Sequence, residues 1–292
     1  MNENNYNISE YLYLGELEKI LKFGDERQCR NSITKSIFGI RMVFDLTDNT
    51  IPIITTKKMS IKTIIKELLW FISGDTNNET LNKQGVHIWD GNSKRDEDSN
   101  EYNLNDNDLG PIYGFQWRHW GANYTNCHDN YENKGIDQLQ ECINSIKNSP
   151  ASRRMMVSAW NVSDIKKMAL PPCHSLFQWY VSSNNELSLQ LYQRSGDMFL
   201  GVPFNILSYS LLVHMVAHLT NLKPGKFIHI IGDAHIYENQ YHAVNLQLQR
   251  KPFEFPKLNI RRKVESIDDF KLDDFEILKY ECHDAIKVGM IA

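Results

Sequence analysis

Apolar residues recur with a helical spacing in two parts of the chain. From Ile61 to Ser73 they fall on one arc of a helix, and Gly74 is placed to end that helix. Asn205–Leu222 is apolar on nearly every side, which predicts a buried central helix that ends at Lys223-Pro224-Gly225.

Alternating patterns predict strands around the second helix. Leu176–Val181 and Leu187–Tyr192 are joined by a segment rich in turn formers, and Phe227–Ile231 is a further apolar strand. In Leu187–Tyr192 the leucines point one way and the polar residues the other, so the polar row either faces solvent or lines a cavity. Because helices and strands are interleaved without a βαβ rhythm, we expect an α+β fold with one large mixed β-sheet flanked by helices.

No repeat or linker divides the chain, so we expect a single domain over residues 1–292. Residues 1–7 are Asn-rich and read as a disordered head. Residues 93–108 and 121–135 are polar, and periodic segments resume at once on either side of each. We interpret both as surface insertions.

The composition is that of an ordinary globular protein, with 41% hydrophobic and 23% charged residues. A net charge of −4 gives no sign of a nucleic acid or membrane partner, so any bound anion needs a local cluster of arginines or lysines. Five scattered cysteines without a C-x-x-C pair argue against disulfides and against a metal site. No signal-like segment or membrane-length apolar run is seen, and we expect a soluble cytoplasmic protein, with the nucleus as an alternative.

Cys173 is the first candidate for chemistry. Pro171 and Pro172 fix the backbone before it and place its thiol at the start of a strand, although a buried structural cysteine is an equally open interpretation. Arg194, at a strand end, suggests forked recognition of a phosphate, and its charge beside Cys173 would favour the nucleophilic thiolate. Adjacent arginines such as Arg153-Arg154 are most often simply solvated.

Three further groups have two interpretations each. Glu67 lies at the edge of the first helix's apolar arc, where a half-buried carboxyl would have a raised pKa, but an exposed Glu paired with Lys fits as well. His214 and His218 have metal-ligand spacing without a third ligand, which favours ordinary helix histidines. Asp233–Tyr237 places polar side chains at a strand end, a common but not diagnostic position for ligand contacts.

Taken together, these segments resemble the thymidylate synthase family. The resemblance runs in the family's order from about Tyr11 to the last residue. The matching blocks are Glu67–Phe71, Leu109–Arg118, Ser152–Arg154, Pro171–His174, Gln190–Asp197, Gly201–Asn205 and Gly232–Tyr237.

The resemblance implies a homodimer that methylates dUMP to dTMP, with 5,10-methylenetetrahydrofolate as carbon donor and reductant and no metal. Cys173 is implied to add to uracil C6. The implied catalytic residues are Cys173, Glu67, Arg194, Asn205, Tyr113, His174 and Asp197. Secondary RNA binding is suspected of the family, but the acidic charge argues against it here.

The implied ligand contacts divide between the nucleotide and the folate. The dUMP contacts are Arg30, Arg153, Arg154, Arg194, Ser195, Gln193, Asn205, His235 and Tyr237, with Arg153 and Arg154 donated across the dimer interface. The folate contacts are Ile88, Trp89, Asn92, Asp197, Leu200, Gly201, Phe204, Met290 and Ala292. The C-terminal tail is the implied lid.

The sequence departs from the family's pattern at three places. The loop Arg30–Thr34 is shorter than the usual phosphate loop and lacks its glycines. Ser60 replaces an aromatic residue that often lines the folate site, and Ala292 stands where Val or Ile is usual.

Two other enzymes remain as rivals. A deoxycytidylate hydroxymethylase should carry Asp at position 205 to accept from the amine of cytosine, whereas Asn205 suits uracil. A cysteine hydrolase would use Cys173 with a histidine, but it leaves the arginines unexplained.

Overall fold

The computed structural model describes residues 7–29, 32–94 and 105–289. Arg30, Met290 and Ala292 therefore lie outside the described residues, as do most of the head and of the first insertion. The α-helices are α1 (Ile8–Phe23), α2 (Ile61–Ile72), α3 (Asn78–Asn82), α4 (Asp90–Ser93), α5 (Tyr113–His119), α6 (Gln138–Asn148), α7 (Gly201–Thr220) and α8 (Tyr241–Leu248). Single 3₁₀ turns span Thr47–Asn49, Ile165–Lys167, Glu238–Gln240, Ile267–Asp269 and Leu272–Asp274.

Six strands form one mixed sheet in the order β1-β2-β6-β5-β4-β3, and two more form a small separate sheet. The strands are β1 (Asp25–Gln28), β2 (Ile33–Asp45), β3 (Met156–Ser158), β4 (His174–Val181), β5 (Glu186–Asp197), β6 (Lys223–Tyr237), β7 (Lys257–Ile260) and β8 (Phe275–Leu278). The β5–β6 pair is parallel and the other pairs are antiparallel. The predicted α+β fold with a mixed sheet is confirmed.

The central helix α7 packs on β5 and β6 and forms the middle of the core. It begins at Gly201, earlier than the sequence pattern predicts, because Pro203 is tolerated in a first helical turn. Its length and apolar composition would suffice to cross a membrane, but 89% of the apolar window is buried inside the protein. The expectation that no apolar run reaches that length is therefore wrong. The run that reaches it is the core helix α7.

The opposite face of the sheet is open. In β5 the three leucines are buried, while Gln190 and Tyr192 point outward, so the polar row does not line an internal cavity. Tyr180 and Met156 lie on the same outer face and are 64% and 45% exposed. An open sheet face that carries large apolar side chains is typical of a protein–protein contact.

The second insertion, residues 121–135, is irregular but not featureless. Tyr124 and Tyr131 are buried around Phe115, and each meets its ring edge to face at 4.9 Å between centroids. A backbone bridge between Trp120 and Ile136 closes the base of the segment. The insertion therefore carries a small aromatic core of its own.

Candidate active site

Cys173 lies directly before β4 and is fixed by main-chain contacts on both sides. Its backbone N–H donates to the Tyr113 hydroxyl at 2.8 Å, and its carbonyl accepts from the Arg194 N–H at 2.8 Å. The side chain is partly buried. The thiol is thus held at the meeting point of α5, β4 and β5.

Arg194 clamps the proline segment in front of the thiol. Its Nε donates to the Pro172 carbonyl at 3.0 Å and its Nη2 to the Pro171 carbonyl at 2.8 Å. The guanidinium carbon lies 5.5 Å from the centroid of the Trp160 ring. Part of the fork predicted for phosphate therefore binds the backbone, and the positive charge is anchored beside Cys173.

The pKa of the Cys173 thiol is raised, despite the positive charge of Arg194 beside it. Burial raises its pKa, while the Arg194 charge and a hydrogen bond with Tyr113 act in the opposite direction. The prediction that the Arg194 charge favours the thiolate is confirmed, although the net shift of the Cys173 pKa has the opposite sign. Desolvation outweighs the attraction because the sulfur is largely shielded from water.

His174 and Asn205 form a buried pair next to the thiol. The Asn205 amide Nδ2 lies 2.7 Å from His174 Nε2, and burial lowers the His174 pKa to about 3. The imidazole is therefore neutral. If the amide donates to Nε2, the proton of the ring sits on Nδ1, which has no hydrogen-bond partner among the described residues.

Glu67 supplies a buried carboxyl on α2. Burial raises its pKa to about 7, while a hydrogen bond from Trp89 Nε1 to Oε1 at 2.9 Å acts against that rise. The rings of Phe71, Trp89 and Tyr113 pack around one another beside it. The predicted raised pKa is confirmed, and a carboxyl of this kind can exchange protons near neutral pH.

The described residues implied for folate come from the segment around Trp89 and from the start of α7. Trp89 is buried, and those that are only partly buried are Ile88, Asn92, Leu200, Gly201 and Phe204. Asp197 Oδ1 accepts from the backbone N–H groups of Phe199 and Leu200 at 2.9 Å, and Oδ2 accepts from Gln240 at 2.8 Å. Asp197 is thus rigidly oriented at the entrance to α7.

A buried lysine in this region was missed by the sequence reasoning. Lys57 donates to the Phe199 carbonyl and lies 3.7 Å from the centroid of the Phe199 ring. Burial lowers its pKa to about 7, although Asp197 opposes the shift. The only signal in the sequence was an adjacent pair of lysines before α2, which reads as solvated surface.

His235 and Tyr237 lie together at the end of β6, with ring centroids 5.0 Å apart. Asp233 lies 3.4 Å from His235 Nδ1 and also pairs with Arg27 of β1. The hydrogen bond with His235 is the main reason why the Asp233 pKa is lowered. Arg27, which the sequence reasoning did not single out, thus connects the edge strand to this strand end.

Gln193 and Ser195 lie near the C-terminal end of β5. Gln193 is buried, with its Oε1 2.8 Å from His229 Nε2 and its amide Nε2 donating to the Ser195 carbonyl at 3.0 Å. His229 is fully buried, and burial lowers its pKa to about 3. Sequence reasoning missed this histidine because it sits within an apolar strand.

A tyrosine on α7 was also missed. The Tyr209 ring meets His174 edge to face at 5.4 Å between centroids. Its buried hydroxyl has no hydrogen-bond partner within the described ranges. Burial raises its pKa well above the ordinary value, and Tyr113 and Glu67 raise it further.

Arg153 and Arg154 are not brought to this site. Both side chains are exposed and precede β3, whose first residue Met156 pairs with Gln178. At about 3.3 Å per residue, Gln178 lies roughly 16 Å along the chain from Cys173. The two arginines therefore lie far along the sheet from the cysteine of their own chain.

The described part of the tail runs towards the site. Tyr280 donates to the Ile54 carbonyl and accepts from the Met59 N–H, which ties the tail to the segment before α2. The Gly289 carbonyl accepts from Asn239, two residues after Tyr237, at 3.0 Å. Met290 and Ala292, implied as folate contacts, follow directly but lie outside the described residues.

Within residues 7–29, 32–94 and 105–289, no group of three or more His, Cys, Asp or Glu side chains could hold a metal ion. His214 instead lies 2.9 Å from the Thr50 carbonyl through Nε2. It is a satisfied helix histidine, as the sequence favoured.

Comparisons with known proteins agree on one family. The family described as Thymidylate synthase matches residues 11–292. Thymidylate synthase from Homo sapiens is 52% identical over 284 residues, covering 96% of this chain and 90% of the human protein. That of Varicella-zoster virus (strain Dumas) is 50% identical over 284 residues, covering 96% and 94%. The bifunctional dihydrofolate reductase-thymidylate synthase of Zea mays is 50% identical over 285 residues, covering 96% of this chain and 54% of that protein.

Proposed function

The chain belongs to the thymidylate synthase family and is a methyltransferase, and from that premise we propose that it converts dUMP to dTMP through a covalent adduct on Cys173. The co-substrate would be 5,10-methylenetetrahydrofolate, which supplies both the carbon and the hydride and leaves as dihydrofolate. The observation that carries the proposal is the convergence of a thiol, a guanidinium, a buried carboxyl and an amide on one aromatic-lined site.

In the first step the Cys173 sulfur would form a bond to uracil C6, and the ring's electron pair would move towards C5 and O4. A thiol with a raised pKa must lose its proton for this attack, and the fixed charge of Arg194 makes that loss less costly. Asn205 is placed to support the enolate, because an amide offers both a donor for O4 and an acceptor for N3–H.

Proton transfer is assigned to Glu67, whose pKa of about 7 lets it take up and release a proton at neutral pH. It would protonate the folate nitrogen as the ring opens and assist removal of the hydrogen at C5. Neutral His174 and the Tyr113 hydroxyl hold the nucleophile and the amide in place beside it.

The folate would occupy the side of the site formed by Trp89, Leu200 and Phe204, with Asp197 facing its pterin. Asp197 already accepts hydrogen bonds from three protein groups, but a carboxylate has about four acceptor positions, so one further donor can be bound. An apolar wall of this kind would keep water from the reactive iminium formed when the folate ring opens.

We further propose that the protein acts as a homodimer joined through the open face of the sheet. That face carries exposed Met156, Tyr180 and Tyr192, and Arg153 and Arg154 lie at its edge. A two-fold axis through this face would carry the two arginines of each chain towards the phosphate site of the other. Each active site would then be built from two chains.

The rival hydrolase is disfavoured by the geometry around Cys173. His174 Nε2 faces Asn205, and its pKa of about 3 makes it a weak base. Tyr113, and not an imidazole, is the partner that lowers the Cys173 pKa by hydrogen bonding. A Ser–His-type relay is therefore not formed at this cysteine.

The rival hydroxymethylase is tested at position 205. Asn205→Asp replaces the amide donor with an acceptor that suits the exocyclic amine of cytosine, so the ratio of kcat/KM for dCMP over dUMP should rise by about a hundred-fold. The measurement compares the two nucleotides in the same folate-dependent assay. An unchanged ratio would refute this account of base recognition.

The function itself is tested by tritium release from 5-tritiated dUMP. Release should need methylenetetrahydrofolate and should fall about a thousand-fold or more in Cys173→Ser, since the hydroxyl is a far weaker nucleophile. Cys282→Ser is a matched control, because that partly buried thiol lies on the tail. Release that is independent of folate, or that survives Cys173→Ser, contradicts the proposed chemistry.

A further inference from the structure

A buried histidine, His229, has no role in the proposed reaction. It lies beside the end of β5 that carries Arg194 and Ser195, which we call the phosphate end of the site. It sits on β6, and its ring reaches across to Gln193 on β5, with 2.8 Å between Nε2 and Oε1. The residue is completely buried, so bulk solvent does not reach it.

The hydrogen bonds around Gln193 fix the tautomer of this histidine. The Gln193 Nε2 donates to the Ser195 carbonyl at 3.0 Å, and a carbonyl can only accept, so Oε1 must be the atom that faces His229. Because Oε1 also only accepts, His229 Nε2 must carry the proton. A neutral ring then has an unprotonated Nδ1, and that atom has no partner within the part of the chain that the structure describes.

Leaving a buried nitrogen unpaired is costly, and an apolar side chain of similar size would pack in β6 without that cost. The imidazole therefore does something in this position that a hydrocarbon side chain would not. The only hydrogen bond that it makes among the described residues leads to Gln193, and from there to the backbone of Ser195.

The Gln193 amide packs closely against the backbone of Gly196. A Cβ added at Gly196 would lie 2.8 Å from Val202 and 3.2 Å from the Gln193 amide nitrogen, so the amide is packed against the bare backbone of that glycine. Gln193 also stands directly opposite His174, the partner of Asn205, across the β4–β5 pair. Gln193 thus lies between His174, on the neighbouring strand, and the backbone of Ser195 at the phosphate end.

We propose that His229 is a positioning residue that fixes the Gln193 amide and, through it, the end of β5 that carries Arg194 and Ser195. This inference rests on the proposed function, because the group positioned is the one that would bind the nucleotide phosphate. The histidine does not touch substrate. Its effect should appear in nucleotide binding and not in folate binding or in the chemical step.

The test compares His229→Phe, which keeps an aromatic ring but removes the donor, with His229→Gln, which restores an N–H towards Gln193. We expect His229→Phe to raise KM for dUMP about ten-fold, with KM for folate unchanged and kcat changed less, and His229→Gln to recover most of that loss. His229→Met serves as the donor-free variant if the phenylalanine variant does not fold.

His214→Phe is the matched control, since His214 is also a buried histidine with a single Nε2 contact to an oxygen atom. It should lower the melting temperature similarly and leave KM for dUMP unchanged. An equal KM for His229→Phe and His214→Phe would overturn the inference, as would a failure of His229→Gln to recover.

A double-mutant cycle with Gln193→Leu tests the route of the effect. If His229 acts through Gln193, His229→Phe should change KM for dUMP no further once Gln193 is replaced, whereas additive changes would overturn the proposed route. A wild-type protein that releases no tritium from dUMP would instead refute the proposed function, so the two failures are distinguishable.

Discussion

In the proposed site, the end that binds the base and the end that binds the phosphate would differ in how much of each a single chain provides. At the base end, Glu67, His174 and Asn205 are shielded from water and each has a side-chain partner in the same chain. At the phosphate end, Arg153 and Arg154 are exposed and remote, and Arg194 donates two of its N–H groups to backbone carbonyls.

This difference follows from what each end must do. Burial is the main cause of the raised Glu67 pKa and of the lowered His174 pKa, and the folded core of one chain supplies that burial. The proposed phosphate end would bind a dianion through several positive charges, two of which would come from a second chain. The following experiments test that division.

Glu67→Gln should have the largest effect on the base end, lowering kcat about a hundred- to a thousand-fold by removing the proton-transfer group. The limb of the kcat–pH profile near pH 7 should disappear with it, since the Glu67 pKa is about 7. Glu79→Gln, at an exposed glutamate paired with Lys83, is the matched control. A normal kcat in Glu67→Gln would remove the carboxyl from the mechanism.

Glu67→Gln also tests how the Glu67 carboxyl affects the free energy of unfolding. A carboxyl whose pKa rises on folding stabilises the folded state fully below its unfolded pKa, near 4.5, and that contribution is lost as the pH rises through about 7. Relative to Glu67→Gln, the wild type should therefore lose up to ~3 kcal/mol of unfolding free energy over this window. Urea unfolding at a series of pH values measures the loss.

The arginine pair tests the phosphate end. Arg153→Ala/Arg154→Ala should reduce kcat/KM for dUMP about a hundred-fold, because two charges for the dianion are removed. Hybrids formed by refolding this variant with Cys173→Ser should regain roughly a quarter of wild-type activity, since half of random pairings hold one intact site of two. Arg261→Ala, at an exposed residue paired with Glu276, should have no effect. No recovery in the hybrids would mean that the arginines act within their own chain.

Replacing Arg194 should have the smallest effect of these changes on the measured quantity, here the pKa of the Cys173 thiol. Arg194→Gln removes the charge that opposes burial at Cys173, so the apparent pKa of that thiol should rise by about one pH unit. Arg194→Lys keeps the charge and should give a smaller rise. The pKa is read from the pH dependence of alkylation, after subtracting the rate of the corresponding Cys173→Ser variant. An unchanged value in Arg194→Gln would show that the charge does not reach the sulfur.

The sequence predicts the regular elements well where periodicity is strong. The first predicted helix, Ile61–Ser73, is observed as Ile61–Ile72, and the alternation of β5 is observed as buried leucines with outward polar residues. It underestimates β6, which the pattern predicts as Phe227–Ile231 but which runs from Lys223 to Tyr237. Pairing with β2 and β5 extends that strand to 15 residues, and such long-range pairing leaves no local signal.

The candidate site shows the same limit. Residues within short motifs, such as Cys173 and Arg194, could be singled out because their neighbours are unusual. Lys57, His229 and Tyr209 could not, because their significance comes from burial in the folded chain and not from spacing. The net shift of the Cys173 pKa could not be predicted for a related reason: a charge can be read from the sequence, but the degree of desolvation cannot.

Burial of Lys57 beside Asp197 has a consequence for how the site behaves near neutrality. The pKa of this ammonium and the pKa of the Glu67 carboxyl both lie at about 7. As the pH rises through that value, the lysine loses its positive charge while the glutamate gains a negative one. The summed charge of these two side chains thus falls by two elementary charges as the pH rises through about 7.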